Sequence, residues 1–134
     1  MTTAVSAFEN VPRRSRFISL TTYRRSGVGV ATPVWFARSP GGIYVVTFAT
    51  AGKVRRINNN ATVAVAPCRS QGKVTGPEAG GRARLLVDSE RRAAAKAISR
   101  RYFSIPTWLI EADMRRRGGG KPAAYLEIVP GGPA

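Results

Sequence analysis

Histidine is absent from the 134 residues, and cysteine occurs once, at Cys68. Without histidine there is no Ser-His-Asp triad, no imidazole metal ligand and no imidazole acid or base. A lone cysteine forms no internal disulfide, which predicts a reducing cytoplasm as the place of work. Long apolar runs are missing too. No stretch reaches bilayer length and the N-terminus lacks the apolar centre of a signal peptide, so no membrane partner is expected. Acidic residues are scarce, 7 against 22 Lys and Arg for a net charge of +15, and none falls between Asn10 and Pro77. A chain so unbalanced attracts anions: nucleic acid, acidic membrane surfaces or a multiply charged cofactor. The arginine pairs at 13–14, 24–25, 55–56, 91–92 and 100–101 are scattered and no RNA-binding aromatic signature interrupts them, which disfavours nucleic acid.

A composition 43% hydrophobic and 22% charged is that of a folded chain with a core. Its length predicts one domain over 1–134, with an N-terminal arm at 1–12 and a frayed tail at 130–134. No internal repeat is visible.

The chain is organised around Ile43 to Pro67, IYVVTFATAGKVRRINNNATVAVAP. Ile43 to Phe48 and Thr62 to Ala66 have the β-branched and aromatic chemistry of strands. Between them Ala49, Thr50, Ala51 and Gly52 are small enough for backbone amides to approach a ligand. A basic helix of one or two turns follows, in which Val54 and Ile57 form the buried stripe at about 100° per residue. Lys53 and Arg56, three apart, lie on one edge of that stripe and can converge on one anion, while Arg55 points away into solvent. The free amides of the helix start favour phosphate, and the Thr47 and Thr50 hydroxyls offer further donors. A surface helix with a solvated charged face is the plainer reading of a basic pair; the small-residue loop and the strand–loop–helix setting favour phosphate. Asn58 to Asn60 are expected to end the helix in left-handed geometry.

Before this stretch, Phe17 to Tyr23 and Val28 to Ala37 read as a hairpin closed by Arg24 to Gly27. Pro33 cannot donate to a central ladder, so its strand is an edge or carries a bulge, and the local residues favour neither. A bulge at Thr32-Pro33-Val34 would expose backbone to a planar ligand. Thr75 to Pro77 is a plain turn or a segment beside a ligand. Gly80 to Val87 reads as a strand with Ala83, Leu85 and Val87 on one face. Asp88 or Ser89 caps a helix to about Tyr102 with Ala94, Ile98 and Tyr102 buried, a break follows at Phe103, and a second helix starts near Pro106. That helix ends in Arg115 to Arg117, which suit its dipole. Ala123 to Val129 is the last strand. Six short strands and two late helices predict a mainly β, antiparallel barrel-like sheet with helices covering an opening.

TPVWFA (Thr32 to Ala37), YVVTFATAGKVRRI and the asparagine-rich turn before VAVAP together resemble the split-barrel superfamily of pyridoxamine phosphate oxidase. They are most similar to its actinobacterial branch, which uses a deazaflavin (coenzyme F-420) in place of FMN. The likeness runs from about Arg16 to Val129. Where the family usually has Asn-Pro before the strand, this chain has Asn60-Ala61. The resemblance implies a six-stranded antiparallel split β-barrel of the FMN-binding type, homodimeric, with the cofactor between subunits. It also implies hydride transfer to a small-molecule substrate by the cofactor, with no catalytic side chain and no metal. Lys53 and Arg56 would then bind the cofactor phosphate, helped by Thr47, Thr50, Ala51 and Gly52, and Thr32, Pro33 and Val34 would border the ring. Trp35, Tyr102 or Trp108 would approach the partner's ligand. The surplus of arginines suits the polyglutamate tail of a deazaflavin, which places coenzyme F-420 ahead of the alternative, FMN. Vitamin B6 is disfavoured as substrate, since the chain is short and lacks a matching substrate-binding histidine. A non-catalytic cofactor carrier and a nucleic-acid binder are the other classes.

Overall fold

The computed structural model describes residues 17–102 and 105–131, so the expected N-terminal arm, residues 103–104 of the break and the last three residues lie outside the described chain. Six strands form a closed antiparallel barrel in the order β1, β2, β3, β6, β5, β4. They are β1 (Phe17–Tyr23), β2 (Gly29–Arg38), β3 (Ile43–Phe48), β4 (Thr62–Cys68), β5 (Ala79–Leu85) and β6 (Ala123–Pro130). Three helices accompany them: α1 (Gly52–Asn59), α2 (Asp88–Arg101) and α3 (Thr107–Arg117). The split-barrel class is as expected from the sequence, with the short basic helix making a third beside the two late ones. None of the helices is long and apolar enough to cross a membrane.

Strand alternation sets the core. Ile18, Leu20, Val34, Phe36, Ile43, Val45, Val63, Val65, Ala83, Leu126 and Ile128 point into the barrel, where Ile57 of α1 joins them. Burying each large aliphatic side chain contributes roughly 1.5–3 kcal/mol relative to leaving it in water. The neighbours Ala37, Val46, Ala123 and Tyr125 point outward and meet Ala94, Ile98 and Tyr102 of α2 and Ile110 of α3. The two late helices therefore pack on the outer wall, and it is α1 that inserts Ile57 into the barrel core. The late helices cover outward positions on β2, β3 and β6 that are apolar enough to need it.

Turn chemistry closes the hairpins. Gly27 takes φ of 91°, and its N–H donates to Arg24 O at 2.8 Å. Between β2 and β3 a Cβ on Gly42 would stand 2.0 Å from the Ile128 carbonyl oxygen, so only glycine fits. Several local expectations shift. Asn60 ends α1 in extended geometry (φ −151°), and its Oδ1 accepts from Thr62 N–H at 3.1 Å, a side-chain turn that makes left-handed backbone unnecessary. Val87 is 62% exposed, because it is the extended N-cap residue of α2 and no longer follows the strand's alternation. Pro130 is not frayed but buried, paired with Gly81 at the end of β6.

The sheet is discontinuous along β2. β2 pairs with β1 from Tyr23↔Gly29 to Ile18↔Val34, and with β3 only from Trp35↔Val46 to Arg38↔Ile43. It changes partner between Val34 and Trp35. Beyond that point the Phe36 N–H donates to the Tyr102 hydroxyl at 2.9 Å. The β2 edge over Gly29–Val34 thus has no ladder with β3, and Thr47 and Phe48 pair only with Ala124 and Ala123 of β6. The wall is split there.

Candidate functional site

Pro33 lies in the segment that borders the split. Its register with β1, Ser19↔Pro33, runs unbroken on both sides, so the residue marks an edge and not a bulge. Beside the split lies a cavity of about 510 Å³, within the usual range for small-molecule sites. Pro33, Val34 and Trp35 of β2 and Val46, Thr47 and Phe48 of β3 form its floor, with Phe17 at one side and Lys53 at another. The Trp35 ring is held by stacking on Tyr102, centroids 4.6 Å apart and planes 19° from parallel. Such a surface of flat and apolar groups accepts a planar ring.

The start of α1 is built as the small-residue loop predicts. The Ala51 N–H closes a tight turn on Phe48 O at 3.0 Å, and no side chain caps the helix. The Val54 N–H turns back to Ala51 O at 3.1 Å, which leaves the Gly52 and Lys53 amides outside the helix's own bonds. Lys53 Nζ donates to Thr47 Oγ1 at 3.3 Å and stands 5.7 Å from the Phe48 ring centroid. Arg56 Nε donates to Thr22 Oγ1 at 2.6 Å, and Thr22 is itself fully buried. The far end of Arg56 curls back over Gly52, where an added Cβ would stand 2.9 Å from Nη1. Arg55 is exposed on the other side of the helix.

Among the described residues the charge of this pair is uncompensated, beside an apolar cavity. Ion pairs among the described residues fall on Arg84, Arg116 and Arg117, so neither Lys53 nor Arg56 has a carboxylate partner. Burial, and after it the charge of Arg56, lowers the pKa of Lys53. Two neighbouring cations, held by threonine hydroxyls and without a carboxylate partner among the described residues, can receive an anion. Thr32 adds a second unmet demand: its Oγ1 is buried without a hydrogen-bond partner.

Of the nine residues singled out in the sequence, Pro33, Val34, Thr47 and Lys53 line the cavity. Ala51, Gly52 and Arg56 form the adjoining helix start, Thr50 is exposed, and the Thr32 hydroxyl is buried outside the cavity lining. Thr75 follows the isolated antiparallel bridge Cys68↔Val74, its N–H donating to Pro67 O at 2.9 Å, and none of Thr75 to Pro77 reaches the cavity. The sequence reading missed the opposite wall, made by Ile105, Leu109, Ile110, Asp113, Met114 and Arg117. Their spacing at 105, 109–110, 113–114 and 117 is a helical stripe, the signal that identifies them. At the cavity mouth a bond from Arg116 and the charge of Arg117 hold the Asp113 carboxyl below the usual range.

The comparisons agree with the fold. Residues 2–125 match the family described as pyridoxamine 5'-phosphate oxidase. The chain belongs to that family. No curated protein matches it in sequence. Among solved structures, the pyridoxamine 5'-phosphate oxidase-like barrel is similar to a conserved hypothetical protein of Mycobacterium tuberculosis, Rv2991, at TM-score 0.65 and 20% identity, covering 97% of this chain and 81% of that one. HutZ, the heme storage protein of Vibrio cholerae, superposes at TM-score 0.68 and 10% identity, covering 97% and 92% of the two chains. A FAD-binding protein of Mesorhizobium loti follows at 0.60 and 17%, covering 92% and 85%. At these identities the likeness is one of fold.

Proposed function

We propose that this family member is an oxidoreductase that holds a phosphorylated flavin-type cofactor, a deazaflavin (coenzyme F-420) ahead of FMN. In this reading it works in the cytoplasm and passes a hydride to a small organic acceptor. The observation that carries the reading is the Lys53–Arg56 pair, two cations with no carboxylate partner among the described residues, beside an apolar cavity at the barrel split. The family match and the FAD-binding neighbour support a flavin-type cofactor. The acid-free interval from Asn10 to Pro77 favours a deazaflavin with its anionic tail.

The residues present fit such a group. Lys53, Arg56 and the uncapped α1 amides would hold the phosphate, and Thr47 and Thr22 keep the two cations in place. Gly52, without a side chain, lets the Arg56 guanidinium lie close over the helix start. The β2 edge at Thr32–Val34 and the stacked Trp35 would support the ring, and the α3 wall would exclude water. The cofactor, when bound, supplies the hydride chemistry. Trp108 and Leu109 are 69% and 47% exposed on the helix that walls the cavity. A second copy of the chain would cover them and complete the site as a homodimer.

The test is a side-by-side titration of coenzyme F-420 and FMN, followed by quenching of tryptophan fluorescence, with Trp35 on the cavity floor. Tighter saturation by the deazaflavin supports the reading. Tighter binding of FMN moves it to an FMN enzyme of the same fold, and failure of both to bind overturns it. Anaerobic mixing of the reduced complex with a panel of acceptors separates an enzyme from a cofactor carrier.

A further inference from the structure

On the other side of α3 lies a groove of about 580 Å³ that the cofactor reading does not use, bounded by Ser89, Arg91, Arg92, Thr107, Glu111 and Tyr125. Tyr125, 2% exposed, organises its floor. The Tyr125 hydroxyl donates to Glu111 Oε2 at 2.5 Å, and Arg91 stands 5.8 Å above the ring centroid while donating to Ala123 O at 2.8 Å. One tyrosine therefore fixes a carboxylate at its tip and a guanidinium over its face. The two are held apart: the ion pairs among the described residues include neither Arg91 nor Glu111. Arg92 beside them has no carboxylate partner either and is exposed.

Opposite charges fixed on two sides of one groove select their ligand by sign. A plain anion attracted to Arg91 and Arg92 meets the Glu111 carboxylate, and a plain cation meets the arginines. Each such encounter is a like-charge repulsion at short range, which disfavours both kinds of single-charge ligand. A molecule with both charges satisfies both sides. We infer that this groove is a second ligand site, for a small zwitterion of the amino-acid type, its carboxylate toward Arg91 and Arg92 and its ammonium toward Glu111. The Ser89 and Thr107 hydroxyls add neutral hydrogen-bonding groups along the groove. The site stands independently of the cofactor reading.

The probes are ω-amino acids of increasing chain length, titrated into the full-length protein beside acetate and ethylammonium, with amide chemical shifts as the readout. At least one amino acid is expected to shift the amides of Ser89–Arg92 and Thr107–Glu111 saturably, and to bind at least about 10-fold tighter than either single-charge control. Arg92→Ser, at an exposed side chain, and Glu111→Gln are each expected to weaken it by about 10-fold or more, with the spectrum otherwise folded. Acetate binding as well as the amino acids, shifts that map to the Lys53 cavity, binding untouched by both variants, or no saturation with any probe would each overturn the proposal.

Discussion

Replacing Lys53 by methionine tests whether this cation serves the fold or a ligand. Methionine keeps the apolar stem and removes the charge. What is lost can be bounded. The 3.3 Å bond to Thr47 is long and contributes about 0.5–1 kcal/mol, and the approach to the Phe48 ring at 5.7 Å adds about 0.5 kcal/mol. Against these stand burial of the ammonium and the repulsion of Arg56, which together lower its pKa below 10.5. A lowered pKa means that the folded surroundings disfavour the charged form after all its contacts are counted. The cofactor-free Lys53→Met protein is therefore expected to be more stable than wild type near neutral pH, by up to about 1 kcal/mol, as substitutions at binding sites often are. The sign with pH follows. Between its folded pKa and 10.5 the unfolded chain holds more protons at Lys53 than the folded one. Wild-type stability then rises with pH through that window and the advantage of the variant shrinks. Urea denaturation at about pH 7 and about pH 10 measures both. A loss of more than about 1 kcal/mol near neutrality would mean that Lys53 is a structural residue, and the reasoning fails.

Other expectations follow from the same geometry. Gly52→Ala places a Cβ 2.9 Å from Arg56 Nη1, the end of a flexible side chain, so the fold should change by no more than about 1 kcal/mol while cofactor affinity drops at least about 10-fold. Equal affinity for that variant and wild type would remove the helix start from the site. Gly42→Ala must push the backbone at Ile128, and a loss of more than about 4 kcal/mol, or failure to fold, is expected in thermal denaturation. Affinity for a phosphorylated cofactor should fall as pH rises through the lowered pKa of Lys53, because the ammonium is what attracts it; a flat profile in that window would speak against direct contact.

The parts of the fold written in local chemistry were legible beforehand. Ile43–Phe48, the small-residue loop and the Val54/Ile57 stripe specify strand, turn and helix within a short window, and the structure has them in that order. Pro33 announced an interruption but not its kind, since edge and bulge differ only in register with strands far along the chain. The register Ser19↔Pro33 settles it. The α3 wall was missed for a related reason. Its cavity side chains are spaced as an ordinary core stripe, and only tertiary packing sets them opposite Pro33 and Phe48. Thr50 looked like a donor by proximity, yet the turn from Phe48 to Ala51 leaves it exposed. Val87 was misassigned because alternation was carried past the point where the strand gives way to α2.

The central claim is most directly tested by the affinity of coenzyme F-420 and FMN for wild type, Lys53→Ala, Arg56→Ala and Arg55→Ala under one set of conditions. Loss of a charged hydrogen bond at Lys53 or Arg56 should weaken the preferred cofactor by roughly 1.5–3 kcal/mol each, with Arg55→Ala costing distinctly less. Equal losses at 55 and 56, or no loss at 53 and 56, would contradict the account.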